Sequence, residues 1–188
     1  MITSRDKVAL DFITNFKMVT PKQVDKEVYN NLKVCYNRLN RLHDDKWLYK
    51  AENTVNKGFI YSCERIRTLK QFAHCSIRTE FYLALKEVSE VYHVDVEQRF
   101  GSIKPDLLIS CMYNGSPYHF FVEVETNANH SSVNYDKYNK FFLAEYREHF
   151  NVKPVVIYIT DKRIDSNKIY FDYRHIKTDL SDFINVFN

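Results

Sequence analysis

Residues 31–44 read Asn-Leu-Lys-Val-Cys-Tyr-Asn-Arg-Leu-Asn-Arg-Leu-His-Asp, and this stretch decides how the first third of the chain folds. Leu32, Cys35, Leu39 and Leu42 recur at i, i+3, i+7 and i+10, the spacing of one face of an α-helix, with Tyr36 beside the stripe. The opposite flank carries Lys33, Asn37, Arg38, Asn40 and Arg41. Side chains of these types hydrogen-bond base edges or pair with phosphates, so the pattern predicts a helix equipped for a major groove.

On the N-terminal side, Arg5–Phe16 predicts a helix that buries Val8, Phe12, Ile13 and Phe16, with Thr3 or Ser4 as its cap. Thr20-Pro21 opens a short helix to about Val28, with Thr20 at the N-cap and Pro21 in the permissive first turn. On the C-terminal side, Trp47–Lys50 and Gly58–Ser62 are β-prone runs around a polar tip, which predicts a hairpin. Three helices and a hairpin is the order of a winged helix-turn-helix. In that arrangement the hairpin offers Lys50, Asn53, Asn56 and Lys57 to a DNA backbone or minor groove. The run Tyr36–Leu42 followed by Trp47-Leu48 resembles the recognition helix and first wing strand of many bacterial winged-helix proteins. Winged helices also serve as protein–protein modules, and a merely solvated polar face has the same composition.

Charge divides along the chain. Residues 1–70 hold 14 Lys and Arg against 8 Asp and Glu, whereas residues 71–188 hold 13 against 16. A basic first module, 1–70, and a mildly acidic second one, 71–188, are the expected domains, the first being the candidate for nucleic acid. The 188 residues are 45% apolar and 27% charged, which suits a globular chain and excludes a disordered or fibrous one. With 3 Gly and 4 Pro, Gly-rich and collagen-like designs are excluded as well. No apolar run of membrane-spanning length occurs, and the N-terminus lacks a signal-peptide run, so the expected compartment is the cytoplasm. Cys35, Cys63, Cys75 and Cys111 form no CxxC pair, and no HExxH appears, which leaves zinc without a ligand set and the cysteines as reduced, buried apolar groups. No Walker A loop, GxGxxG or GxSxG is present.

The second module reads as a helix over 74–92 burying Ile77, Phe81, Ala84, Val88 and Val91, then strands at His93–Phe100, Ile103–Met112 and Tyr118–Thr126. Asn114-Gly115-Ser116-Pro117 turns the last two into a hairpin. A helix over 133–150 follows, then an apolar strand Pro154–Thr160, a strand Lys168–Tyr173 and a closing helix Asp179–Phe187. The fold class is therefore α+β, a helical module with a hairpin followed by a mixed sheet flanked by helices.

This order, with Pro105-Asp106 on the second strand and Glu123-Val124-Glu125 on the third, resembles the PD-(D/E)xK nuclease core. A winged helix ahead of such a core is similar to the replication-relaxation family of plasmids, phages and conjugative elements, the stretches IKPDLLI and FFVEVET matching best. The resemblance implies that Asp106 and Glu123 bind a divalent metal, Mg²⁺, with Glu80 as a further acid from the preceding helix. It also implies a lysine two residues after Glu123, where this chain has Glu125. Some restriction enzymes carry this ExE form, with the second acid as base or metal partner; Lys137, Lys140 and Arg99 are the cations available to substitute for the lysine. Strand alternation places Glu123 and Glu125 on one face, where burying both unpaired costs several kcal/mol, so a polar pocket is expected.

The expected function is that of a sequence-specific double-stranded DNA-binding accessory or regulatory protein of a mobile element, acting in replication, transfer or transcription control. Its nuclease-like domain is expected to be non-catalytic, and DNA binding requires no cofactor. The alternative is a Mg²⁺-dependent endonuclease using Asp106, Glu123 and Glu125; an interaction adaptor without a DNA role is a third. Expected partners are double-stranded DNA, a second copy of the chain and a replication or transfer protein, with no membrane.

Overall fold

Thr3 starts the first helix with a reciprocal cap: its hydroxyl accepts from the Asp6 amide, and the Asp6 carboxylate accepts from the Thr3 amide. A computed structural model describes residues 2–53, 58–126 and 135–187. Helix α1 (Ser4–Phe16) buries Asp6, Ala9, Phe12, Ile13 and Phe16. Val8, expected on the inner face, is 52% exposed. Asp6 occupies the inner position one turn earlier, and Ala9 follows it at i+3.

Thr20 and Gln23 form a second reciprocal cap around Pro21, opening α2 (Pro21–Val24). It continues as a π-helical turn over Asp25–Tyr29, which Asn30 ends at φ 52°. Asn31 then caps α3 (Leu32–Asp44), its side chain accepting from the Val34 amide. Strands β1 (Tyr49–Asn53) and β2 (Gly58–Ser62) pair antiparallel, Tyr49 opposite Ser62 and Asn53 opposite Gly58. Val19 bridges to Tyr61 and so ties the segment after α1 to the hairpin.

Helix α4 (Phe72–Val88) ends earlier than the expected residue 92, because Glu90 and Val91 pair with Met112 and Cys111 in the sheet. Val88, expected inside, is 44% exposed, while Cys75, Arg78, Thr79, Phe81, Tyr82, Leu83 and Leu85 are buried. The chain divides into two compact units, residues 1–83 and 84–188, the division falling inside this helix.

The second unit is built on a five-stranded mixed sheet in the order β3 (Glu90–Val96), β4 (Leu107–Tyr113), β5 (Ser116–Glu125), β6 (Val155–Thr160), β7 (Tyr173–Ile176). The first three strands form an antiparallel meander, and β5–β6 and β6–β7 are parallel. Asn114 and Gly115, both at positive φ, make the two-residue turn between β4 and β5. Helices α5 (Asp136–Ala144) and α6 (Tyr146–His149) replace the single expected helix. Tyr135, Tyr138, Phe141 and Phe142 are buried against Phe121, Tyr158 and Phe171, so this aromatic group is core.

Two expected elements are corrected. Of the expected strand 168–173 only Tyr173 is in one: Ser166–Lys168 is a 3-10 turn, Phe171 turns into the core, and pairing with β6 begins at Tyr173. The closing helix shrinks to a 3-10 turn at Phe183–Phe187, because Leu180 adopts φ 57° and breaks any helix begun at Asp179.

Candidate functional site

Cys35, Leu39 and Leu42 are buried and orient α3; Leu32, in its first turn, is 37% exposed, so the buried stripe begins at Cys35. Lys33, Asn37 and Arg41 lie at i, i+4 and i+8 and all are exposed. Arg41 also sits 4.0 Å from Asp45, a surface contact of little energetic weight.

The other flank residues turn inward. Arg38 Nε donates to Asp6 Oδ1 at 2.9 Å, and its Nη2 donates to Asp6 Oδ2. Tyr29 Oη donates to Asp6 Oδ1 at 2.9 Å, and the Thr3 hydroxyl to Oδ2 at 2.7 Å. Burial alone would raise the Asp6 carboxyl, but these donors, led by Arg38, hold it well below the usual carboxylate range. Asn40 Oδ1 accepts from Lys50 Nζ at 2.9 Å and from Tyr61 Oη at 2.8 Å, and Lys50 Nζ stands 3.7 Å from the centre of the Phe59 ring. Asn53 is buried, and Asn56 and Lys57 lie outside the described residues. Of the nine residues expected at DNA, then, Lys33, Asn37 and Arg41 face outward, while Arg38, Asn40 and Lys50 brace the unit.

In the second unit the β4–β5 register sets Asp106, just ahead of β4, opposite Glu123. Asp106 Oδ2 accepts from the Val124 amide at 2.8 Å. Glu123 Oε1 accepts from Lys137 Nζ at 2.8 Å and from Tyr138 Oη at 2.6 Å, both supplied by α5. Burial raises the Glu123 carboxyl, opposed by Lys137 and reinforced by Asp106. Glu125, two residues on, stands 3.6 Å from Lys162 just past β6. Tyr158, opposite Glu123 on β6, is buried with a hydroxyl that meets no hydrogen-bond partner among the described residues. Lys140 is exposed. Glu80 belongs to the first unit, where its carboxylate accepts from Gln23 Nε2 at 2.9 Å.

Asp106 and Glu123 therefore face each other where the carboxyl end of β5 meets the start of β4; Lys137 bonds to Glu123, and Glu125 lies two residues on beside Lys162. Carboxylates such as Asp106 and Glu123 are of the type that magnesium uses, one or two at a time, with water completing its shell. Among the described residues no group of three His, Cys, Asp or Glu side chains is placed to hold a metal. The sequence reading named Lys137 but missed Tyr138, Tyr158 and Lys162. Tyr138 reads as core because it shares the apolar stripe of α5, and Tyr158 becomes a neighbour of Glu123 only through the parallel β5–β6 register. No described helix is long and apolar enough to cross a membrane. No family model, curated protein or solved structure matches the chain.

Proposed function

We propose that this protein binds double-stranded DNA through the outer line of α3, with its first unit acting as a winged helix-turn-helix, and serves as an accessory or regulatory protein of a mobile element. The observation that carries this reading is the division of labour on α3. Lys33, Asn37 and Arg41 are exposed along one line, while the neighbouring polar side chains lock the helix to α1 and the hairpin. The line is about 12 Å long at 1.5 Å per residue, enough for three or four base pairs. A second copy of the chain would double the site, as two-fold symmetric readers do. Asn37 suits bidentate contact with adenine, Arg41 with guanine, and Lys33 a phosphate.

The test is a gel-shift titration with Lys33→Ala/Arg41→Ala. We expect at least a ~10-fold loss of affinity, the scale of one lost charge-assisted contact or more, with unchanged folding. Wild-type affinity in the folded double variant would refute the reading. Arg38→Ala is unsuited to this test, since it strands the buried Asp6 carboxylate and confounds binding with unfolding.

The contact between Lys137 Nζ and Glu123 favours a second reading, in which the other unit is a PD-(D/E)xK-like Mg²⁺-dependent endonuclease. Magnesium held by Asp106 and Glu123 would supply an activated water and charge for the phosphate. Lys137 and Tyr138 would fix Glu123 through Oε1, and Glu125, 3.6 Å from Lys162, would serve as base.

A further inference from the structure

The basic excess of the first seventy residues is only partly used by α3 and the hairpin. Arg65, Arg67 and Lys70 follow β2 in a non-repetitive stretch whose burial alternates: Ile66 and Leu69 pack with Met18, Ile60 and Cys75, and Arg65 and Arg67 are exposed. Ser62 Oγ accepts from the Glu64 amide and fixes the turn out of β2. A cleft of about 360 Å³ runs along this stretch, lined among others by Lys17, Glu64, Arg65, Arg67, Thr68 and Gln71. Lys17 ends α1 at φ 69°, a position where glycine is the common residue.

We propose that this cleft is a phosphate-binding site distinct from the outer line of α3. Arg65 and Arg67 stand two residues apart with Ile66 anchored between them. Among the described residues neither guanidinium meets a carboxylate or a hydrogen-bond acceptor, unlike Arg38. Each presents a planar fork matched to the oxygens of a phosphate. Thr68 and Gln71 add neutral donors. Arg65 and Arg67 against the single Glu64 carboxylate leave this wall of the cleft positive, and two adjacent guanidinium forks suit phosphate oxygens better than one carboxylate. The phosphate comes either from the backbone of bound DNA or from a free phosphate compound, and the two sources separate experimentally.

The experiment uses the full chain. Inorganic pyrophosphate is titrated while the backbone amide resonances of residues 64–71 are followed by NMR, and the titration is repeated with Arg65→Gln/Arg67→Gln and with Lys33→Ala/Arg41→Ala. Saturable shifts of these amides are expected, with an affinity weakened at least ~10-fold by the first pair of substitutions and unaffected by the second. In parallel, the salt dependence of binding to a random-sequence duplex is measured. If the DNA backbone is the source, Arg65→Gln/Arg67→Gln lowers the log–log slope by about 0.9 per lost phosphate contact. An unchanged slope together with lost pyrophosphate binding assigns the cleft to a free phosphate compound. Absence of saturable pyrophosphate shifts, together with a duplex slope equal to that of wild type, overturns the proposal. Because the α3 variant and the cleft variant are read separately, failure of base reading by α3 leaves the pyrophosphate result intact.

Discussion

At the scale of single residues, Arg38 shows what helical spacing carries and what it omits. It lies three residues after Cys35 and four before Leu42, so it borders the apolar stripe as closely as it borders the outer flank. Which side it serves depends on whether an acid waits inside, and that acid, Asp6, comes from another helix 32 residues away. The chemistry of Arg38 was legible in the sequence; its partner was not. The pairing also has a pH signature. The Asp6 carboxyl ionises in the folded protein well below its unfolded value near 3.9. Its stabilisation is therefore complete above that unfolded value and is lost as pH falls through it toward the folded one. Asp6→Asn should cost about 2–3 kcal/mol at neutral pH, somewhat less than a fully buried pair because Arg38 keeps some access to water. The variant should also flatten the fall in urea midpoint between pH 5 and pH 2. A midpoint unchanged at pH 7, or an equally steep acid fall in the variant, would contradict this role.

At the scale of elements, the helices with strong 3.6-residue periodicity and recognisable caps were legible, and so were both hairpins. Thr3, Thr20 and Asn31 cap within a residue of the expected starts, because capping is local chemistry. The failures lie where pairing overrides local pattern. β3 takes Glu90 and Val91 from the end of a helical run, and β7 begins only where β6 offers a parallel partner. The polar brace between α3 and the hairpin was likewise hidden, since Asn40, Lys50 and Tyr61 meet only after the chain reverses. Tyr61 is fully buried, and burial pushes its phenol up to about 12, so it remains a donor throughout the ordinary pH range. Asn40→Ala removes its acceptor and should cost about 1–2 kcal/mol, the range for a buried donor left unsatisfied. Tyr61→Phe placed in the same chain should recover part of that loss, because it removes the stranded hydroxyl. Chemical denaturation of the two single variants and the double variant measures the coupling; strictly additive losses would show that the brace carries no energy.

At the scale of the whole molecule, charge separates the two proposed tasks. The first seventy residues carry the positive excess that a polyanion needs, and the sequence showed this because net charge requires no knowledge of the fold. The carboxylate site of the second unit is different in kind. Asp106, Glu123 and Glu125 set three carboxylates against Lys137, which bonds to Glu123, and Lys162, whose buried Nζ stands 3.6 Å from Glu125 without a hydrogen bond among the described residues. Glu125 stands where the nuclease pattern has a lysine, so the carboxylates outnumber the cations. An added divalent ion would reverse that balance. On the nuclease reading turnover would require metal, whereas on the proposed reading retention of DNA by the first unit would not. Supercoiled plasmid incubated with the chain in EDTA should be retained on a gel without being nicked. On the principal reading it should also survive Mg²⁺ or Mn²⁺. Metal-dependent nicking that Asp106→Ala abolishes, with DNA retention unchanged, would transfer the function to the second unit. Lys137→Met then becomes the informative variant: it frees Glu123 from its cation while leaving the Tyr138 hydrogen bond, so a change in the metal concentration needed for nicking would identify Lys137 as the residue that positions the acid.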